Sequence, residues 1–396
     1  MELTTVNKKK IFNPDLELLR GVAAIVVVLS HIIFRAELFN KGYVPPELKY
    51  LVLPGYFSVL IFFVLSGYVI GINHRDRLFN GKIYDYLKKR FIRIYPIYVI
   101  ATCLGILIST TAYSIPTILA NLTLTQNMFY HVIQENYPAW SLNFEMLFYL
   151  LFVPISFFQV NSLLAFLLSL IIGIVSLYLP VGPVITAYAW GYCFWLSGLY
   201  LSRNTSKSST PVRFIPAIFY MMAVGIIIGG HNYITELHLH GFSSQTIIVP
   251  AQKIKSVNDL LLLPFAFLIV VLFSGHKFSH TKIYWVVLQV IPIYIICTHK
   301  KAPDDAGFYM GILFYLLAGL TLLIKIPENW IKKTGTWLGG ISYGIYIIHY
   351  PLLIIFGKSI FITENLWIYL VKVFLYLTVV VISGYLLEKV YQPIFK

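Results

Sequence analysis

Four groups of ionisable and hydroxylated residues interrupt apolar stretches of this 396-residue chain. A charge held at mid-bilayer depth costs about 2.5–3.5 kcal/mol on insertion scales, so each such residue calls for an explanation. The first group is Arg20 and His31, eleven positions apart. On a helix both point to nearly the same face, about 16 Å apart along the axis. The plain alternative is an arginine reaching for headgroups and a histidine at the outer boundary. The second is Arg90-Phe91-Ile92-Arg93. At i, i+3 the two guanidinium groups share a face and make a fork suited to phosphate oxygens, unless they merely anchor a span on its basic side. The third is Trp140-Ser141-Leu142-Asn143-Phe144-Glu145. Its hydroxyl and carboxylate lie at i, i+4, and a carboxylate in an apolar run needs a partner or a proton. A structural ion pair would satisfy it as well as a reaction would. The fourth is Ser342-Tyr343-Gly344-Ile345-Tyr346-Ile347-Ile348-His349. Ser342, Tyr346 and His349 form one polar stripe, either part of a site or hydrogen-bonding glue between helices.

These groups are carried by membrane spans. The chain is 58% hydrophobic and only 12% charged, with a mean hydropathy of +0.78. A soluble domain carries roughly a quarter charged residues, so there are too few charges here to cover an aqueous surface. Apolar runs recur near the ~20 residues needed to cross hydrocarbon. Leu16–Phe34, Val52–Ile72, Phe91–Thr111 and Leu366–Leu387 are the cleanest. They lack the period-two alternation of a barrel strand, so they predict helices. The expected fold is therefore an all-α integral membrane protein, a polytopic bundle of about 10–12 transmembrane helices.

The formal net charge of +14 points to topology rather than nucleic acid, because the basic residues gather in short connections. Asn73–Arg90 reads as cytoplasmic, Thr111–Ala139 without Lys or Arg as external, and Ser202–Arg213, Gly275–Lys282 and Pro327–Gly340 as internal. Gly229–Asn258 reads as the longest external loop; His299–Gly307 also falls outside, against the lysines at Lys300 and Lys301. The amino-terminal lysines Lys8, Lys9 and Lys10 precede a run too long, and too charged at Glu17 and Arg20, for a cleaved signal, so it reads as a retained first span. Cys103, Cys193 and Cys297 form no disulfide or zinc spacing. His231, Glu236, His238 and His240 crowd one loop but fit no strong ligand pattern, and no metal is expected. Asn121-Leu122-Thr123 matches a glycosylation sequon, relevant only in a secretory pathway.

Taken in order, these groups resemble membrane acyltransferase family three, the O-acyltransferases of bacterial surface sugars and their relatives. The arginine–glycine…histidine first span matches, as do Phe62-Phe63-Val64-Leu65-Ser66-Gly67, Arg90-x-x-Arg93, the Trp140-Ser141-Leu142…Glu145 element, and Ser342-Tyr343-x-x-Tyr346…His349. The similarity runs from Leu16 to the end of the chain. It implies acyl-CoA, acetyl-CoA foremost, as donor, and a cell-surface or lipid-linked carbohydrate hydroxyl as acceptor. The chain itself reads as a multi-pass protein in contact with lipid, expected in the plasma membrane, with residues 1–396 forming one transmembrane domain and none of the extracytoplasmic domain that some relatives append.

The roles carried over are donor binding for Arg20, Arg90 and Arg93, and catalysis for His31 and Glu145. Trp140, Ser141, Ser342, Tyr343, Tyr346 and His349 support them. Removing a hydroxyl proton as it attacks a thioester suits a histidine, and a carboxylate orients such a base. His31 and Glu145 both lie toward the outer ends of their spans, so the two are expected to meet. Whether the acyl group passes directly or first onto His31 stays open. The competing class is a proton-coupled transporter or flippase of a sugar-linked substrate, in which the same residues would relay protons; no inverted repeat favours it. An even number of spans and lysines near both ends place both termini in the cytoplasm. Cysteine labelling or reporter fusions near Thr5 and Phe395 should read inside, and external accessibility of either end would overturn this topology.

Overall fold

A computed structural model describes residues 13–79, 81–179, 182–204, 206–207, 213–229, 257–277, 281–298, 305–324, 327, 329–358 and 362–395. The lysines 8–10, the histidine-bearing stretch 231–240 and residues 299–304 lie outside them. The helices are α1 (Pro14–Phe34), α2 (Gly55–Asn73), α3 (Gly81–Ile108), α4 (Ile115–Leu122), α5 (Trp140–Phe157), α6 (Ser162–Ser176) and α7 (Gly182–Arg203). They continue as α8 (Phe214–Ile227), α9 (Val257–Ser274), α10 (Thr281–Thr298), α11 (Ala306–Leu323), α12 (Asn329–Gly339), α13 (Ser342–Lys358) and α14 (Leu366–Tyr385). Ser206–Lys207 and His276–Lys277 pair as antiparallel two-residue strands. The protein is thus an all-α polytopic membrane bundle. Among the described residues six helices are long and apolar enough to cross a membrane, and α12 with α13, bent by 69°, passes the same test only as a pair, the geometry of a broken span or a re-entrant loop. Shorter apolar helices (α6, α8, α9 and α10) and the 22-residue α7 pack among them.

Local chemistry starts the helices where the sequence allows it. Asn13 caps α1 by accepting from the Asp15 and Leu16 amides at 2.9 and 3.3 Å, ahead of Pro14 and two first-turn acids. Asn161 caps α6 and Asn365 caps α14 in the same way. Three stretches depart from the sequence reading. α3 begins at Gly81, ten residues before the apolar run, because Gly81–Arg90 continues as an amphipathic turn that buries Tyr86 and exposes Lys82 and Lys88. Pro327–Gly340, expected as a connection, contains α12, whose glycines dock on α1: a Cβ at Gly21 would lie 2.6 Å from the Gly335 carbonyl oxygen. The segment 111–139 folds back on the bundle, and the sequon residue Asn121 is buried in it. Its side chain donates to the Thr117 and His131 carbonyls at 2.9 and 2.8 Å and accepts from the Ile133 amide at 3.1 Å. A glycan has no access there.

In hydrocarbon, helices gain little by burying apolar surface against each other, and close packing decides which ones meet. The most intimate pair is α2 with α7. A Cβ at Gly67 would run into the Trp195 carbonyl, and one at Gly198 into the Val64 carbonyl. Around that crossing Phe63, Phe144 and Phe148 pack edge to face or offset, with Phe63 5.3 Å from Phe148 between ring centroids. Gly67→Val must push α2 away from backbone that cannot rotate aside, and overpacking of this kind costs about 1–3 kcal/mol or more. A lowered unfolding temperature of the purified protein in detergent is the expected result; an unchanged one would show that the helices do not meet this closely.

Candidate active site

Arg20 lies in the second turn of α1 and Arg90 and Arg93 toward the middle of the 28-residue α3, and all three line one cavity of about 440 Å³. Ser141, Glu145, Ser342, Tyr343 and Tyr346 line it as well, so parts of all four sequence groups converge, while His31 and His349 are not among its lining residues. Trp140 does not line it: its indole packs on Phe63 and Phe144, closing the wall behind.

The arginines are held in three different ways. Arg20 Nη1 pairs with the Glu17 carboxylate on its own helix at 3.0 Å, with Glu388 and Glu145 the next carboxylates in reach. Arg93 Nη1 pairs at 3.2 Å with Glu388, a carboxylate from the carboxy-terminal turn that the sequence reading did not single out. Arg90 has no carboxylate partner among the described residues. Its guanidinium lies over the rings of Tyr86 and Tyr149, 5.6 and 5.7 Å from their centroids, and its buried Nε has no hydrogen-bond partner. Beside it, at the end of α2, His74 is held down to about 4 by burial and by the charges of Arg90 and Lys89. It is therefore neutral at pH 7 and adds no repulsion to the arginine end.

Glu145 does not meet His31. Its Oε1 accepts from Ser66 Oγ at 3.1 Å and from the hydroxyl of Tyr149, one turn along its own helix. Ser66 in turn takes the Trp195 indole N–H at 3.3 Å. Hydroxyl donors thus meet the carboxylate's need for a partner, and they face the arginine end of the cavity rather than the outer end of α1. Sequence spacing placed Ser141 and Glu145 on one face of α5 but carried no information on which helix faces them. Ser66 stood in the quoted motif without a role, and Tyr149, four positions after Glu145, was the available signal.

His31 instead meets His349. The Nε2 of His349 lies 3.1 Å from Nδ1 of His31, with ring centroids 5.1 Å apart. His349 Nδ1 is 2.6 Å from the Tyr346 carbonyl, and His31 Nδ1 is 3.0 Å from the Val27 carbonyl. A carbonyl only accepts, so for neutral rings both Nδ1 atoms carry the protons. His349 Nε2 then accepts from His31, and the remaining lone pair of His31 is on Nε2. The stripe on α13 is used throughout. Tyr346 contacts Ser141 Oγ at 2.7 Å and donates to the Pro138 carbonyl at 3.0 Å. Ser342 bonds the Gly339 carbonyl, and the Tyr343 hydroxyl reaches the Ile94 carbonyl at 2.7 Å. Among the described residues no group of three or more His, Cys, Asp or Glu could hold a metal ion.

Comparison with known proteins agrees with these motifs. A family model described as an acyltransferase domain matches residues 13–389. The chain belongs to this family, the acyltransferase-3 family, whose matched length takes in every helix and site residue described above. It is similar to Acyltransferase MdmB of Streptomyces mycarofaciens, 30% identical over 152 residues, 35% of this chain and 38% of the relative. It is also similar to Protein 2 in picA locus of Rhizobium radiobacter, 36% identical over 88 residues, 22% of this chain and 40% of the relative. The chain spans about two fifths of the length of these relatives. No solved structure matches it.

If one carboxylate serves both hydroxyls, Tyr149→Phe should cost about 1.5–3 kcal/mol, the range for a hydrogen bond to a charged group. Ser66→Ala should cost less on its own. The double substitution should depart from the sum by at least about 0.5 kcal/mol in unfolding measurements. Ser66 Oγ also lies 3.1 Å from the Tyr149 hydroxyl, so strict additivity would show that Ser66, Tyr149 and Glu145 do not act as one network.

Proposed function

We propose that the chain is a membrane acyltransferase that moves an acyl group, acetyl foremost, from cytosolic acyl-CoA to a hydroxyl of a cell-surface or lipid-linked carbohydrate. In this reading it lies in the plasma membrane with both termini in the cytoplasm. The observation that carries it is one cavity with three arginines at one end and the Ser66–Glu145–Tyr149 and Ser141–Tyr346 hydroxyl networks in its wall. One turn further along α13, beyond the residues that line the cavity, His349 meets His31 of α1.

The arginine end fits a polyphosphate. Arg90 keeps a buried N–H donor without a partner, and such a donor stays costly until an anion or water takes it. Arg20 and Arg93 add charge at the same wall, partly offset by Glu17 and Glu388. A thioester on a pantetheine arm entering between these arginines reaches toward the histidines, about 16 Å farther along α1. There the lone pair of His31 Nε2 takes the acceptor's hydroxyl proton as the oxygen attacks the thioester carbonyl carbon. The C–S bond breaks, and the proton passes from the imidazolium to the departing thiolate. During that transfer His31 keeps its Nδ1 proton against Val27 and His349, which hold the ring in the tautomer that acts as a base. Glu145, away from the histidines, serves in this reading to shape the cavity wall and counter the arginines rather than to orient the base.

Purified protein in detergent should transfer or hydrolyse acyl-CoA. Arg90→Ala should weaken CoA binding about tenfold or more, the value of a charge-assisted hydrogen bond. His31→Ala should bind CoA as before yet lose about 10²–10⁴ in turnover. Near-normal turnover in His31→Ala would end this mechanism, and an unsubstituted protein that neither binds CoA nor turns it over would favour the transporter class.

A further inference from the structure

The carboxylate of Glu388 has two oxygens, and each faces a different element. Oε2 lies 3.2 Å from Arg93 Nη1 on α3. Oε1 accepts from the amides of Tyr343 and Gly344, at 3.1 and 3.2 Å, in the first turn of α13. The side chain is 2% exposed. It belongs to a π-helical turn, Leu386–Tyr391, that follows α14, and such turns recur where a side chain is aimed at a task. The same turn is fastened nearby, because Gln392 Nε2 donates to the Arg93 carbonyl at 2.6 Å. Gly344 leaves room for this approach: a Cβ there would meet the Gly384 carbonyl oxygen at 2.6 Å and Glu388 Cγ at 3.2 Å.

The opening amides of a helix have no partners within it, and the positive end of its dipole favours a carboxylate. α13 opens just past the bend that follows α12, with no side-chain cap of its own among the described hydrogen bonds. Glu388 supplies one from outside. His349 lies six residues beyond Tyr343, about 9 Å along the axis, so the seat of this first turn sets where the His349 ring stands.

We infer that Glu388 is a positioning residue, its two oxygens holding a donor-end arginine and the start of the histidine-bearing helix in one geometry. The inference rests on the acyltransferase reading for its catalytic consequence and on the contacts alone for its structural one. Arg93 is then presented to the cavity by Glu388 rather than left to find phosphate unaided, and α13 keeps its first turn.

The two oxygens can be separated. Glu388→Gln can keep an acceptor on the Tyr343 and Gly344 amides while placing a neutral amide against Arg93. Glu388→Ala removes both. Amide hydrogen exchange of the segment around Tyr343 and Gly344, measured by mass spectrometry on the full chain in detergent, should quicken about tenfold or more in Glu388→Ala, the loss expected for hydrogen bonds to a charged group. In Glu388→Gln it should stay near the original rate. With acetyl-CoA as donor, Glu388→Gln should shift KM severalfold with kcat largely kept, and Glu388→Ala should lower kcat as well. Unchanged exchange in Glu388→Ala overturns the inference, and so does a kcat loss in Glu388→Gln equal to that in Glu388→Ala. Exchange reads the hold on α13 whether or not acyl groups move. A chain without CoA chemistry would therefore overturn the acyltransferase reading while the exchange result still decides this one.

Discussion

A charge enclosed in a membrane bundle must be answered by another group, and the arrangement around the cavity follows from how each charge is answered. Arg20 finds its carboxylate three residues away on the same helix. Arg93 reaches across to Glu388 near the carboxy terminus, which in turn caps α13. Glu145 is met by neutral hydroxyls on two helices. Arg90 rests on aromatic faces, which stabilise a cation without neutralising it, and keeps an unused donor. These separate solutions tie α1, α2, α3, α5, α13 and the final turn around one space and leave that space electropositive at one end.

Small residues let those partners reach each other. Ser66 and Gly67 are neighbours on α2. The glycine lets the Trp195 backbone close in, and the Trp195 indole then donates to the serine that holds Glu145. Beside the arginines Gly21 receives α12 against α1, and Gly344 with Gly384 brings the carboxy-terminal turn onto α13. In a lipid environment such contacts replace the hydrophobic drive that joins helices in water, so a glycine beside a polar residue marks where a polar group is carried up to its partner.

The histidine pair shows where helical periodicity stops being informative. Spacing put Ser342, Tyr346 and His349 on one face of α13, and the structure uses that face as one stripe. Spacing also put Arg20 and His31 on one face of α1. Neither fact says which face meets which helix. Proximity to the outer ends of their spans suggested Glu145 for His31. Yet the apolar span runs from Gln134 through a 3-10 turn into α5 and ends at Phe157, so Glu145 stands in its middle rather than at its start.

The chain alone therefore determined what depends on local geometry and composition: helices as the spanning element, the shared faces of the polar groups, and the motifs that mark the family. Each is written within a few turns of one segment, where a rise of about 1.5 Å per residue leaves little freedom. Only the tertiary structure decided the partners. Glu388 lies next to Lys389 in a tail that reads as basic, and Ser66 is 79 residues from Glu145. His349 lies 318 residues from His31. Pairings of that range depend on how helices cross and where backbones approach, and a charge finds its counter-group only after those crossings exist.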